Sequence, residues 1–397
     1  MWVNRTQGRE NMDILKEPLL NIPISYDKKN GFSKSMNSLM LEYEKLVRRY
    51  GYIQLADEIS VFRSYIREMY RLYNKGMHAK AYQKFTTAIR HLNFKDEKLV
   101  TELTEKEFYR ARINRENYDF KPKEMMHIPL NLRGRVKTER YSAPGLPCLY
   151  LGASPYVCWV ELNRPSFDEF QVARLVKNEQ ETTYVLDLSI LPNIYDSEDY
   201  TQKISLEEYL SVWPIIAMCS VTVNREEDDF KPEYIFPQFI LEYIMTDSEF
   251  SQKVIGIKYA SMKVGGISAK QYEEDKKTYI SYVIPVSSDV DDLEMIDPEI
   301  DKIMQIDGTA SGKELQLLTD VARNGFVWQS FDAPEPKHIY LYSSTGSKFD
   351  YEDSIFDRIE IALDKNRKNN EGKIIFQQAV EDAISTASKE DIDALFK

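Results

Sequence analysis

The 397-residue chain is 43% hydrophobic and 12% aromatic, ample for more than one buried core. Its 64 acidic and 52 basic residues leave a net charge of -12, which argues against a nucleic-acid surface because phosphate contacts need a basic field. Three cysteines without a C-x-x-C pair and four isolated histidines make neither a disulfide framework nor a metal motif. No apolar run of about 18 residues occurs and the first twenty residues lack secretory-signal order, so the expectation is a reduced, soluble, cytoplasmic protein without a bound metal or cofactor.

Residues 1–32 carry Pro, Gly, Asn and charge with little periodicity and read as an extended lead-in. The stretch 33–104 reads as a small helical domain. Three segments, 39–53, 55–77 and 79–92, repeat apolar residues at three and four, and in the second Ile59, Phe62, Ile66, Met69, Tyr70 and Tyr73 fall on one face. From 105 to 288 short apolar runs separated by Pro and Gly predict a mixed α+β domain. Its candidate strands are EFYRARI, CLYLG, TTYVLDL, VIGIKYA and TYISYVIPV; its candidate helices are SPYVCWVEL, SLEEYLSVWPIIAMCS and EYIFPQFILEYIM. Residues 289–397 form an accessory region, with helical patterns at 314–328, 351–368 and 372–396 and a strand pattern at 338–344.

The phosphate loop, the H-E-x-x-H zinc motif, the G-x-S-x-G elbow and the G-x-G-x-x-G fingerprint are all absent. Arg71 and His78 fit the loose arginine-to-histidine spacing of HEPN-type ribonucleases, but Asn74, Lys75 and Gly76 between them read as a helix end. Between Phe108 and Arg140 six arginines and three lysines gather within an acidic protein, either as an anion site or as solvated surface charge.

In RYSAPGLPCLYLGASPYVCWVELNR, residues 140–164, Ser154-Pro155 starts a helix whose next residues are nearly all apolar, yet Glu161 lies within it. A strand carrying Tyr150, a turn through Gly152 and a returning helix would gather Arg140, Tyr150 and Glu161 around one pocket. There a carboxylate can stabilise a sugar cation or activate a nucleophile, and an arginine can grip a phosphate. The alternative is an ion pair of Glu161 with Arg164, three residues on.

The order FYRARI, ERYSAPGLPCLYLGASPYVCWVEL, YIFPQFILEYI and VIGIKYASMK resembles the RES domain family over about residues 105–288. Arg140, Tyr150 and Glu161 match its Arg-Trp-Asn-x-x-Gly, Tyr and Glu pattern, and Ser261 its G-I-x-Y-x-S signature; Tyr141 and Ser142 depart from the Trp-Asn pair. The resemblance implies an ADP-ribosyltransferase-like mixed sheet domain that cleaves the nicotinamide–ribose bond of NAD by hydrolysis or by phosphorolysis, with inorganic phosphate as co-substrate. It also implies a toxin or defence effector with an antitoxin or regulatory partner, self-association being left open, and a HEPN-like helical N-terminal domain. On that basis Arg140, Tyr150, Glu161 and Ser261 are expected to be catalytic, and Arg110, Tyr141 and Tyr259 substrate-binding. A silent NAD-sensing or ADP-ribose-sensing module and a ribonuclease acting through Arg71 and His78 are the competing expectations.

Overall fold

The computed structural model describes residues 13–92, 99–114, 118–190, 204–248, 250, 253–263, 279–286, 296–315, 340–342, 348–351 and 354–364. Three helices open the chain: α1 (Phe32–Arg49), α2 (Ile53–Tyr73) and α3 (His78–His91). Gly51 and Gly76, at φ +89° and +74°, supply the left-handed residues that end the first two. Of the predicted stripe, Ile59, Phe62, Ile66, Met69 and Tyr70 are buried and Tyr73 is half-buried. From residue 13 onward the lead-in forms short 3₁₀ turns, and Ile24 joins the end of helix α5 (Leu206–Cys219) through a bridge to Val221.

The mixed sheet runs β1-β5-β6-β7-β3-β2-β4-β8, and only the β5/β6 pair is parallel. Its strands are β1 (Val100–Glu102), β2 (Glu107–Ile113), β3 (Cys148–Gly152), β4 (Phe170–Lys177), β5 (Tyr184–Asp187), β6 (Val254–Ala260), β7 (Ile280–Pro285) and β8 (Met304–Ala310). Five of these coincide with the runs singled out in the sequence. β1, in the stretch 33–104 read as helical, β4, buried along most of its length with Gln171 and Arg174 within it, and β8, with Asp307 and Gly308 inside it, are additions. The last strand draws the region after 289 into the sheet itself. A separate hairpin pairs β9 (Tyr340–Tyr342) with β10 (Lys348–Asp350). The helix expected at 372–396 and nearly all of the one at 314–328 lie outside the described residues.

Each face of the sheet has its own core. Leu186, Ile257 and Val283 pack in one cluster with the N-terminal helices, α5 and helix α6 (Ile235–Thr246), so the helical segment and the sheet share a continuous core. Tyr43 on α1 lies 4.2 Å from Trp213 on α5 and donates its hydroxyl to Leu210 O, and Phe85 on α3 meets Phe236 on α6 edge-on. On the other face Leu149, Leu151, Tyr282 and Ile284 pack with β4, β8 and the short helices α7 (Pro298–Ile303) and α8 (Ile355–Leu363).

The ladder between β2 and β3 consists of one residue pair, Tyr109↔Gly152. The sheet therefore divides there into a five-stranded and a three-stranded wing. Helix α4 (Pro155–Glu161) covers this seam, packing on both strands and donating the Cys158 thiol to Tyr109 O at 3.2 Å. Gly152 makes the close approach feasible, since a Cβ there would sit 2.9 Å from Cys158 Sγ and 3.0 Å from Ser154 O. Gly152→Ala is expected to cost about 1–3 kcal/mol by forcing α4 off the seam, read as a lowered midpoint in denaturant unfolding. An unchanged midpoint would mean that α4 yields freely.

The segment crossing β2 and β4 is held by His127, which is 2% exposed. Its Nε2 accepts the Asp297 N–H at 2.8 Å, and its Nδ1 lies 3.0 Å from Ile128 O, so the network assigns the proton to Nδ1. Burial pushes this imidazole below its ordinary value. The unfolded chain takes up the His127 proton near pH ~6.5 and the folded chain only at lower pH, so stability is lost as the pH falls through that interval. His127→Gln should flatten the dependence of the melting midpoint on pH below about 6.5, and an unaltered slope would rule His127 out as its source.

Candidate active site

Sequence proximity delivers most of the residues around the seam. Helix α4 starts where Ser154 Oγ accepts the Val157 N–H at 3.3 Å and Pro155 occupies the first turn. It ends at Glu161, earlier than its apolar composition suggests, because Asn163 and Arg164 turn left-handed at φ +64° and +55°. Glu161 is thus the last residue of a seven-residue helix, half-buried at its rim rather than enclosed in its middle. The expected pair with Arg164 does not form: that guanidinium lies over the Trp159 ring, 5.9 Å from its centre. Among the described residues the Glu161 carboxylate has no hydrogen-bond or ion-pair partner, although burying a carboxylate even in part is costly without one.

Tyr150, on the strand facing the seam, has its hydroxyl 3.0 Å from Ser142 Oγ. Ser142, which stands where the RES pattern has asparagine, is buried and serves to fix this ring. Burial first, then the neighbouring Cys148 and Tyr259, holds the Tyr150 phenol well above its ordinary value, so it is a neutral hydroxyl at physiological pH. Arg110 on β2 crosses the seam, donating from Nη1 to Tyr150 O at 3.0 Å, and its buried Nε has no partner. No carboxylate pairs with it among the described residues. Burial, reinforced by the like charge of Arg112, lowers its pKa to about 9, still protonated at neutral pH. A desolvated, uncompensated guanidinium is an electrostatic complement for an anion.

Arg140 is tied into the scaffold. Its Nη1 donates to Cys219 O at 3.2 Å and Val221 O at 2.9 Å, where α5 ends and a cation is favoured, and its guanidinium stacks 5.4 Å above Tyr234. Tyr141 is fully buried, its ring 4.7 Å from that of Tyr259 on β6. Burial and then the negative charge of Glu161 raise the Tyr259 phenol well above ten, with Arg140 opposing them, so the three groups share one electrostatic neighbourhood. Ser261, 3% exposed, accepts the Lys263 N–H at 3.2 Å and so caps the turn after β6.

Arg71 and His78 are separately engaged. Glu68 holds the Arg71 guanidinium in a two-pronged pair at 2.6 and 2.5 Å, and His78 stacks on Tyr73 with ring centres 4.4 Å apart. Among the described residues no group of three or more His, Cys, Asp or Glu is placed to hold a metal ion, and no helix is long and apolar enough to cross a membrane.

Four residues of this neighbourhood escaped the sequence reading. Gln238 on α6 donates from one amide nitrogen to Thr138 Oγ1, Glu139 O and Ser142 O at 3.0–3.2 Å, holding the loop that carries Arg140 and Tyr141. Glu139 is exposed at the rim of this neighbourhood; its carboxyl is raised, first by partial desolvation, with Lys263 opposing and Glu161 adding to the shift. Tyr234, beneath Arg140, is pushed up to about 12, mainly by burial. Lys263 lies beside Glu161. Only YIFPQF, in which Gln238 interrupts an apolar helix, carried a local signal.

No family model matches the chain, and no solved structure does. The protein named "Putative toxin YopC" from Bacillus subtilis (strain 168) is 30% identical over 404 aligned positions, which cover 91% of this chain and 85% of that protein. The match takes in the N-terminal helices, the sheet and the seam alike, and by it the chain belongs to the family of that Bacillus protein.

Proposed function

We propose that this protein is a toxin that destroys NAD, cleaving the bond between nicotinamide and ribose in an ADP-ribosyltransferase-like domain of the RES type. The observation that carries the reading is the Glu161 carboxylate, half-buried at the seam and without a partner among the described residues. Breaking the C1–N bond leaves positive charge on the ribose while nicotinamide departs as a neutral base, so the leaving group needs no proton. A fixed carboxylate facing that cation is the main electrostatic requirement. The incoming oxygen, from water or inorganic phosphate, bonds to C1 and gives up its proton to solvent or to a carboxylate of the site.

Other features fit these roles. The uncompensated Arg110 guanidinium suits the pyrophosphate. The Tyr150 phenol, neutral and held by Ser142, suits the nicotinamide-side ribose. Arg140 acts from behind, bracing the loop against α5. The name of the Bacillus relative supports a toxin role, and with it a neutralising antitoxin as partner.

The test is to incubate purified protein with NAD, with and without phosphate, and to follow free nicotinamide and the ribose product. Release in either condition is expected, and the product distinguishes phosphorolysis from hydrolysis. NAD binding by calorimetry without turnover would replace the enzyme by a sensing module.

A further inference from the structure

We propose that Lys263 is a positioning residue for Glu161, clasping the end of helix α4 so that the carboxylate stays aimed into the seam. Its ammonium donates to Glu161 O at 2.8 Å and to Asn163 Oδ1 at 2.8 Å. Asn163 Nδ2 donates in turn to Glu226 Oε2 at 3.0 Å, and Glu226 Oε1 returns to Lys263 Nζ at 3.7 Å. The three side chains close a ring joining the end of α4, the turn after β6 and the acidic loop that follows α5.

The need for such a clasp follows from the local backbone. A seven-residue helix leaves its last carbonyls without intrahelical partners, and a cation there is favoured by the helix dipole. The two consecutive left-handed residues after it are non-glycine, a conformation that persists only when the surroundings impose it. Without Lys263 the end of α4 would relax, and Glu161, the residue at that end, would turn with it. Ser261 then has a role of its own: its Oγ holds the Lys263 backbone N–H at 3.2 Å, so it reaches Glu161 through the lysine, about a hundred residues away in sequence.

This inference rests on the NAD-cleaving reading only for its kinetic test. Lys263→Met is expected to lower kcat for nicotinamide release by about 10–100-fold with KM for NAD unchanged, because an ångström of misplacement costs roughly that much. Lys263→Arg, which keeps a cation able to reach the same carbonyl, should return kcat to within about fivefold of wild type. Asn163→Gly retains the left-handed backbone but loses both side-chain bonds; it should move kcat in the same direction and serves if Lys263→Met does not fold. A wild-type kcat in Lys263→Met, or in Asn163→Gly where that variant stands in, overturns the proposal. So does a raised KM at constant kcat, which would make the lysine a substrate-binding group.

The second readout needs no turnover. In protein labelled with ¹³C-glutamate, the Glu161 carboxyl resonance, assigned by its disappearance in Glu161→Gln, should shift in Lys263→Met and return in Lys263→Arg. If wild type releases no nicotinamide, the NAD reading falls and this resonance alone decides: a shift sustains the positioning role, and an unmoved signal ends it.

Discussion

Glu161→Gln is expected to cut nicotinamide release by at least about 100-fold while leaving the melting midpoint unchanged or slightly raised. Both halves follow from one observation. The carboxylate has no hydrogen bond or ion pair to lose among the described residues, and it shares its surroundings with Glu139, whose carboxyl it pushes up. Neutralising it relieves like-charge repulsion and unpaired desolvation, each small at a half-buried site. On the proposed NAD-cleaving reading, the same substitution removes a negative charge facing the cation that develops on the ribose, and the isosteric amide cannot replace it. A fall in activity accompanied by a comparable fall in stability would assign Glu161 to the scaffold, whereas unaltered activity would remove it from the chemistry.

Arg174→Met should be the most damaging substitution for the fold, at about 3–5 kcal/mol in denaturant unfolding. Arg174 lies within β4, 4% exposed, and its guanidinium pairs with Glu107 on β2 at 2.7 Å, with Asp307 on β8, and with Asp364 just past α8 at 3.3 Å. Three carboxylates from separate elements converge on one cation, so its removal leaves them facing each other in a partly dry setting. The methionine stem can still fill the apolar part of the volume, which isolates the charge from the packing. Gly308 lies next to the same junction; a Cβ there would meet Leu363 O at 2.5 Å, so α8 sits directly on β8. Loss of the arginine is therefore expected to free α8 and β8 first, seen as faster amide exchange there than in β6 and β7. Equal protection of all four elements would refute the idea that Arg174 is what fastens the C-terminal region.

The two variants sample residues that differ in how visible they were. Glu161 stood out because a charged residue interrupts a run of apolar helix positions, a signal contained in nine consecutive residues. Arg174 carried no such signal, and FQVARLVK was not among the strands singled out in the sequence. Its burial depends on acids 67, 133 and 190 positions away. The strands EFYRARI, CLYLG and VIGIKYA needed no such help: as short runs rich in apolar residues and set off by Pro and Gly, they match β2, β3 and β6 residue for residue. MQIDGTA could not be recognised as β8, because its glycine answers to the approach of α8 rather than to any strand preference.

The sequence by itself determined the three N-terminal helices, five of the sheet's strands, and the start of α4 at Ser154-Pro155. All of these rest on short-range rules such as capping and periodicity. Tertiary structure alone decided that the sheet opens at β2/β3, where a single residue pair joins its wings and Arg110 crosses to Tyr150 O. It also decided that Arg140 is spent on the end of α5, and that Lys263 reaches Glu161 from 102 positions away. The physical reason is the same in each case. A hydrogen bond or ion pair is set by where two backbones cross, and the crossing belongs to the packing of both sheet faces rather than to either segment.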